Sequence, residues 1–175
     1  VLSIGIGSIP TQEGVISLDD SVLRIKPMQT LLPRLERRLS QLVADQEMPV
    51  LRIAVVGGGA GGVEIALCLK QRLQMLFGDK PTRITLIAAH DHVIAGTVRR
   101  TENLVRRALE EGSIELEMGH RVQSVRNGMV TLDNDRQLEF DLVLWATSAI
   151  APPLLGQFDL ETDDRGFLKT RPTLQ

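Results

Sequence analysis

The chain has a single cysteine, Cys68, among its 175 residues. One thiol can form no internal disulfide, no CxxC redox pair and no cysteine zinc cluster, so that chemistry is excluded within the chain. Long apolar runs are lacking too: stretches such as Ile53 to Val56 and Leu142 to Ala146 fall far short of the roughly 18 residues that a membrane-spanning helix needs. Neither sign of charge dominates. With 20 Lys and Arg against 22 Asp and Glu, the formal charge is -2. These charges are scattered rather than blocked, which offers no electrostatic footprint for nucleic acid or for an anionic membrane. No charged n-region leads an apolar h-region to a cleavage site, so a cytoplasmic location is expected. The remaining composition, 43% hydrophobic and 24% charged, is that of a folded protein with one domain of about 150 residues and a short annex.

The chain opens on Val1 rather than Met, as expected of a segment continued upstream. Val1 to Ile6 alternate apolar and small residues like a strand already inside a sheet, and Gly7-Ser8-Ile9-Pro10 reads as the loop that ends it. An apolar edge of that kind invites self-association, so a homodimer is an expected partner state. Met28, Leu31, Leu32, Leu35, Leu39 and Leu42 recur at helical spacing opposite Arg34, Arg37, Arg38 and Gln41, which predicts a helix over 28–43. Pro33 would set the first turn of that helix apart.

Leu51 to Val56 is apolar apart from Arg52 and rich in β-branched residues, the pattern of a strand buried on both faces of a parallel sheet. A helix follows from Gly61 to about Phe77, with Val63, Ala66, Leu67, Leu73 and Leu76 facing inward, and then a second buried strand over Arg83 to Ala88. About 30 residues from strand to strand is the length of a βαβ crossover. A further helix, Val98 to Glu111, leads to a third strand, Ile114 to Met118. After it two turn signals, Asn127-Gly128 and Asn134-Asp135, divide His120 to Phe140 into a three-stranded antiparallel meander. Asp141 to Ala146 closes the core. The fold class is α/β: a Rossmann-like domain with a parallel βαβαβ core and an antiparallel meander.

Gly57, Gly59 and Gly62 form G-x-G-x-x-G directly after a predicted strand and at the head of a predicted helix. The first glycine permits the tight turn, the second lets a pyrophosphate approach the backbone, and the third lets helix and strand pack closely. The helix N-terminus adds N–H groups and a positive dipole end. A glycine turn kept only for packing is the bland alternative.

The run Val55-Val56-Gly57-Gly58-Gly59-Ala60-Gly61-Gly62-Val63-Glu64-Ile65-Ala66 resembles the loop that opens the NAD(P)H-binding domain of the pyridine nucleotide-disulfide oxidoreductases and type II NADH dehydrogenases. In that family the NAD(P)H domain is inserted into an FAD domain, and both flanks here fit the junctions. Ile4-Gly5-Ile6-Gly7-Ser8-Ile9-Pro10 resembles the T-G-S-x-P strand that ends the first flavin segment. Asp141 to Thr147 resembles the strand ending in A-T-G. Gly166-Phe167-Leu168 with Pro172 to Gln175 resembles the stretch before the final flavin-binding G-D motif. The resemblance implies three parts: 1–48 leaving a flavin domain, 49–148 binding NAD(P)H, and 149–175 returning to the flavin domain. It implies FAD in the full-length parent and not in this stretch, whose own flavin loop and G-D motif would lie outside it. A parent that reduces quinone would work at the membrane periphery. Lys26-Pro27 before a helix is similar to a branch fused to selenophosphate synthase (selenide, water dikinase).

The expected cofactor-binding residues are therefore Gly57, Gly58, Gly59, Ala60, Gly61, Gly62, Val63, Glu64, Ala88, His90, Thr147 and Ser148. No side chain is expected to act as an acid or base, and no metal site is expected. Two departures stand out. A carboxylate usually ends the second strand and holds the ribose 2′-hydroxyl, yet here the place reads Ala88-Ala89-His90, with Asp91 one step further. His90, His92, Arg99 and Arg100 are the nearby cations that an NADPH phosphate would want. The second departure is Thr147-Ser148 in place of Thr-Gly, where a Cβ narrows the approach of a cofactor. Glu64 suits either the helix dipole or a place beside the nicotinamide ribose. Cys68 and Trp145 read as core. A second reading gives the glycine loop to FAD, against the order of the segments. A third is a non-catalytic docking or regulatory descendant with a degraded nucleotide site.

Overall fold

The computed structural model describes residues 5–19, 21–44, 48–78 and 80–173. In chain order the elements are β1 (Ile9–Pro10), β2 (Ser17–Leu18), β3 (Val22–Arg24), a 3-10 turn (Met28–Thr30), α1 (Leu31–Ala44), β4 (Leu51–Val56), α2 (Ala60–Phe77), β5 (Thr82–Ala88), α3 (Arg99–Glu111) and β6 (Ile114–Met118). These are followed by β7 (Val122–Arg126), β8 (Met129–Leu132), β9 (Gln137–Glu139), β10 (Leu142–Trp145), β11 (Ala149–Ile150) and a second 3-10 turn (Pro153–Gln157).

The apolar runs become the centre of a five-stranded sheet in the order β3-β10-β4-β5-β6. All its pairings are parallel, with β4 against β5 from Leu51↔Thr82 to Val56↔Ile87. Side chains alternate across the sheet, so each run supplies two cores at once. On one face Leu51, Ile53, Val55, Ile84, Leu86, Leu142 and Leu144 pack with Leu31, Leu35 and Leu39 of α1 and Val63, Ala66, Leu69 and Leu73 of α2. On the other, Ala54, Val56, Ile87, Val143 and Trp145 meet Val122, Val125, Val130, Leu132 and Phe140. The second sheet thus covers the face the helices leave bare. Covering both faces is what requires strands without polar alternation.

The second sheet runs β2-β7-β8-β9, with the expected antiparallel meander over β7 to β9. Asn127 and Gly128 sit at φ 50° and 77°, the left-handed pair that a type I′ hairpin turn requires. The strand β2 adds to β7 in parallel, Ser17↔Ser124 and Leu18↔Val125. A third, two-stranded pair joins the chain's flanks: Ile9↔Ile150 and Pro10↔Ala149.

Several expectations need correction. The strand expected over Val1 to Ile6 falls largely on residues 1–4, outside the described residues; Gly5 and Ile6 are irregular, and Ile9–Pro10, read as loop, pairs as β1. β2 and β3 lie in a stretch where no strand was expected. The helix over 28–43 does have its first turn set apart, as a 3-10 turn before α1; Pro33 stands in the first turn of α1, where its missing N–H has no intrahelical partner to lose. Met28 and Leu32, expected inward, are exposed, as is Leu76 on α2, while Leu69 is buried. Cys68, read as core, lies on the exposed face of α2. No helix among the described residues is long and apolar enough to cross a membrane.

Candidate functional site

A cleft of about 800 Å³ opens at the C-terminal ends of β4, β5 and β10. From β4 the chain builds outward through β5 to β6, while β10 pairs on the other side of β4. Such a switch in strand order leaves a crevice beyond the strand ends, where ligands of open α/β sheets bind.

The glycine loop forms one wall, and its glycines divide by what a side chain would meet. Gly57 sits at φ 131° and donates its N–H to the Ile87 carbonyl at 2.8 Å. A Cβ there would stand 2.3 Å from the Ala146 carbonyl oxygen, and one on Gly62 would stand 1.8 Å from the Gly57 oxygen. A Cβ on Gly58 would meet the Ala88 methyl at 2.6 Å. These three are filled by the protein itself. Gly59 and Gly61 differ: nothing lies within 4 Å of a Cβ on either. Gly59 is the N-cap of the 18-residue α2 and supplies no side-chain cap, so the first-turn N–H groups have no capping oxygen. A loop whose middle glycine faces open space at an uncapped helix start fits a pyrophosphate-bearing dinucleotide.

The opposite wall is Ala146-Thr147-Ser148-Ala149. The Thr147 hydroxyl donates to the Thr11 carbonyl at 2.6 Å and the Trp145 indole N–H donates to the same oxygen at 3.0 Å. Ser148 accepts at its carbonyl from the Thr11 N–H at 2.7 Å and is not among the residues at positive φ. The backbone there does not demand a glycine.

Of the expected site residues, Gly57, Gly58, Gly59, Ala60, Gly61, Ala88, His90, Thr147 and Ser148 line the cleft together. Gly62 and Val63 are buried beneath the loop, and Glu64 is exposed on α2; none of these three lines it. Of the cations considered, His92 lines the cleft, whereas Arg99 and Arg100 do not. Asp91 does not line the cleft, and its carboxylate oxygen lies 2.6 Å from where a Gly119 Cβ would stand. His92 Nδ1 faces both oxygens of Glu102 at 3.2 Å, and Arg106 Nε donates to the same carboxylate at 3.0 Å. The Arg106 bond, followed by that of His92, holds the Glu102 carboxyl below the usual range.

Sequence reasoning missed Thr11, Lys26, His120, Arg121 and Arg165, which also line the cleft. His120 and Arg121 were within reach, because they follow the predicted strand Ile114 to Met118 and ligands gather beyond strand ends. Thr11 and Arg165 carry no sequence signal; the β1–β11 pairing brings their segments in. The Arg121 backbone amide, then the His120 imidazole, hold the Asp133 carboxyl below its ordinary value. Among the described residues no cluster of His, Cys, Asp and Glu could hold a metal.

Sheet order and glycine-loop cleft define an α/β protein of the Rossmann-like class. The chain belongs to the pyridine nucleotide-disulphide oxidoreductase family, whose pattern matches residues 21–175. It is 32% identical over 146 residues to the demethylphylloquinone reductase NdbB of Synechocystis, covering 81% of this chain and 34% of that protein. It is 26% identical over 149 residues to the type II NADH:quinone oxidoreductase of Haemophilus influenzae, covering 80% and 33%. Among solved structures, Plasmodium falciparum NDH2 in complex with NADH superposes with a TM-score of 0.72 at 16% identity, covering 97% of this chain and 36% of that one. The chain spans about a third of the length of the curated relatives it matches.

Proposed function

We propose that this chain is the nicotinamide-dinucleotide-binding part of an FAD-dependent NAD(P)H oxidoreductase. The observation that carries the reading is the contrast along the glycine loop: Gly57, Gly58 and Gly62 are packed tight, while Gly59 faces open space at the uncapped start of α2. The NADH held by the Plasmodium falciparum structure and the NADH or NAD(P)H in the names of several relatives support it.

The residues of this chain bind and orient. The Gly57 to Gly61 backbone and the α2 N-terminus hold the pyrophosphate, while Thr147 spends its hydroxyl on Thr11 and so acts as a fixed wall. A nicotinamide bound there supplies a hydride to an acceptor, which the family resemblance makes a flavin. The catalytic contribution of this chain is positional. In this reading residues 49–148 form the nucleotide domain, completed by β3 from the N-terminal flank. The flanks 1–48 and 149–175 lead to a flavin domain that holds the FAD, and their joining through β1 and β11 supports that arrangement. The parent would be cytoplasmic, peripheral to a membrane where it reduces quinone. The similarity of Lys26-Pro27 to the selenophosphate synthase branch finds no support among the relatives, and the reading does not use it.

Calorimetric titration with NADH and then NADPH tests the reading, with Gly59→Val as the variant that blocks the approach. Saturable binding abolished by Gly59→Val is the expected result. Absence of binding to the full-length flavoprotein as well would favour a docking descendant with a degraded site.

A further inference from the structure

NADH and NADPH differ by one phosphate on the adenosine ribose, and the end of β5 is where Rossmann-type sites tell them apart. A carboxylate there accepts from the free 2′-hydroxyl, whereas a phosphate needs cations. In this cleft β5 ends on the buried methyl of Ala88, followed by exposed Ala89 and His90, and the next acid, Asp91, turns to Gly119. The side chains around that end are basic: His90 and His92 from the loop after β5, His120 and Arg121 from the loop after β6. The two loops meet where the Gly119 N–H donates to the His90 carbonyl at 3.4 Å. Among the described residues the carboxylates that line the cleft, Glu13 and Asp164, come from the segments after β1 and β11.

The basic groups differ in what already occupies them. His120 is bound on both nitrogens, to Asp133 at 3.1 Å and to the Asn134 side chain at 3.1 Å. His92 faces Glu102 with Nδ1 alone, so its Nε2 remains for a ligand. Arg106, which holds Glu102, also donates from Nη2 to the Asp91 carbonyl at 2.7 Å, fixing the loop that carries His92. The Arg121 side chain is exposed and makes no hydrogen bond or ion pair among the described residues. An unengaged guanidinium offers the fork of donors that a phosphate takes.

We propose that this cleft selects NADPH over NADH, with Arg121 and His92 taking the 2′-phosphate. The inference rests on the dinucleotide reading and names which form of the dinucleotide the site takes. Glu102 takes one ring nitrogen of His92 and leaves the other facing the ligand. Glu102 and Arg106 are positioning residues behind it.

The test is calorimetry of the chain with 2′,5′-ADP and 5′-AMP, which differ only in the 2′-phosphate, and then with NADPH and NADH. The expected result is binding of 2′,5′-ADP and NADPH at least about tenfold tighter than their unphosphorylated counterparts. Arg121→Ala should erase that ratio while leaving the thermal midpoint and NADH affinity unchanged; His92→Gln should reduce it. Equal affinities for NADH and NADPH, or a ratio untouched by Arg121→Ala, overturn the inference and leave the dinucleotide reading intact. Failure of all four compounds to bind overturns both.

Discussion

The Trp145 indole N–H donates to the Thr11 carbonyl at 3.0 Å across 134 positions of sequence. The same oxygen accepts from the Thr147 hydroxyl at 2.6 Å, so one carbonyl of the N-terminal flank holds the far wall of the cleft at two points. Removing one donor leaves the other in place. Trp145→Phe should cost about 2–3 kcal/mol, from the lost bond and the vacated core volume, and Thr147→Val about 1 kcal/mol. The double variant should cost more than their sum, because only then does the carbonyl lose both partners. Urea denaturation of the four proteins measures the coupling; strict additivity would show that the shared oxygen finds another donor.

The glycine loop predicts a separation of stability from binding. Gly57→Ala and Gly62→Ala each drive a Cβ into a backbone oxygen and should cost about 3 kcal/mol. Gly59→Ala meets nothing within 4 Å at an extended backbone of φ -76°, and should cost less than about 1 kcal/mol. Nucleotide affinity should nonetheless fall in Gly59→Ala. Thermal melts paired with calorimetry would reveal whether the least destabilising of the three changes damages binding.

Asp19 gives the second sheet an acid-sensitive joint. Its carboxylate accepts from the Ser21 hydroxyl, from the Ser21 N–H at 3.0 Å and from the Asn127 N–H at 2.5 Å, tying the segment between β2 and β3 to the β7–β8 turn. These bonds, the Ser21 hydroxyl foremost, hold its pKa below the ordinary value. A carboxylate lowered on folding contributes stability that is complete above its unfolded pKa of about 3.9 and is lost as pH falls through the folded value. The stability difference between wild type and Asp19→Asn should therefore be flat from neutral pH to about pH 5 and shrink below about pH 4. Denaturant titrations across that range would expose an unchanged difference, which would remove Asp19 from the joint.

The homodimer expected from the apolar N-terminal stretch involves residues 1–4, which lie outside the described residues. Among the described residues, the free edge at β6 carries Glu115 and Glu117, charges that discourage strand pairing between copies. Light scattering should therefore find dimer only with the N-terminal stretch intact. Equal association after its deletion would point to another surface.

The long elements were legible because their periodicity is strong. Leu51–Val56 falls where its apolar run places it and Ile114–Met118 where its alternation does, and the turn pairs Asn127-Gly128 and Asn134-Asp135 mark the meander by local backbone preference alone. Helix faces were less legible. The exposure of Leu32, Leu76 and Cys68 depends on where each helix sits over the sheet, which spacing cannot supply.

The α/β order, the glycine loop at a strand-to-helix turn and the missing carboxylate after β5 are each written in a few adjacent residues and needed no fold to be read. Folding alone accounts for β2 and β3, because two or three residues carry no period and pair only when a neighbouring strand offers its edge. It also decided that Arg121 joins His90 and His92 and that Thr11 braces Trp145. Those residues are distant in sequence: parallel pairing of β5 with β6 brings their loop residues to one rim of the sheet, while the antiparallel β1–β11 pair carries Thr11 to Trp145.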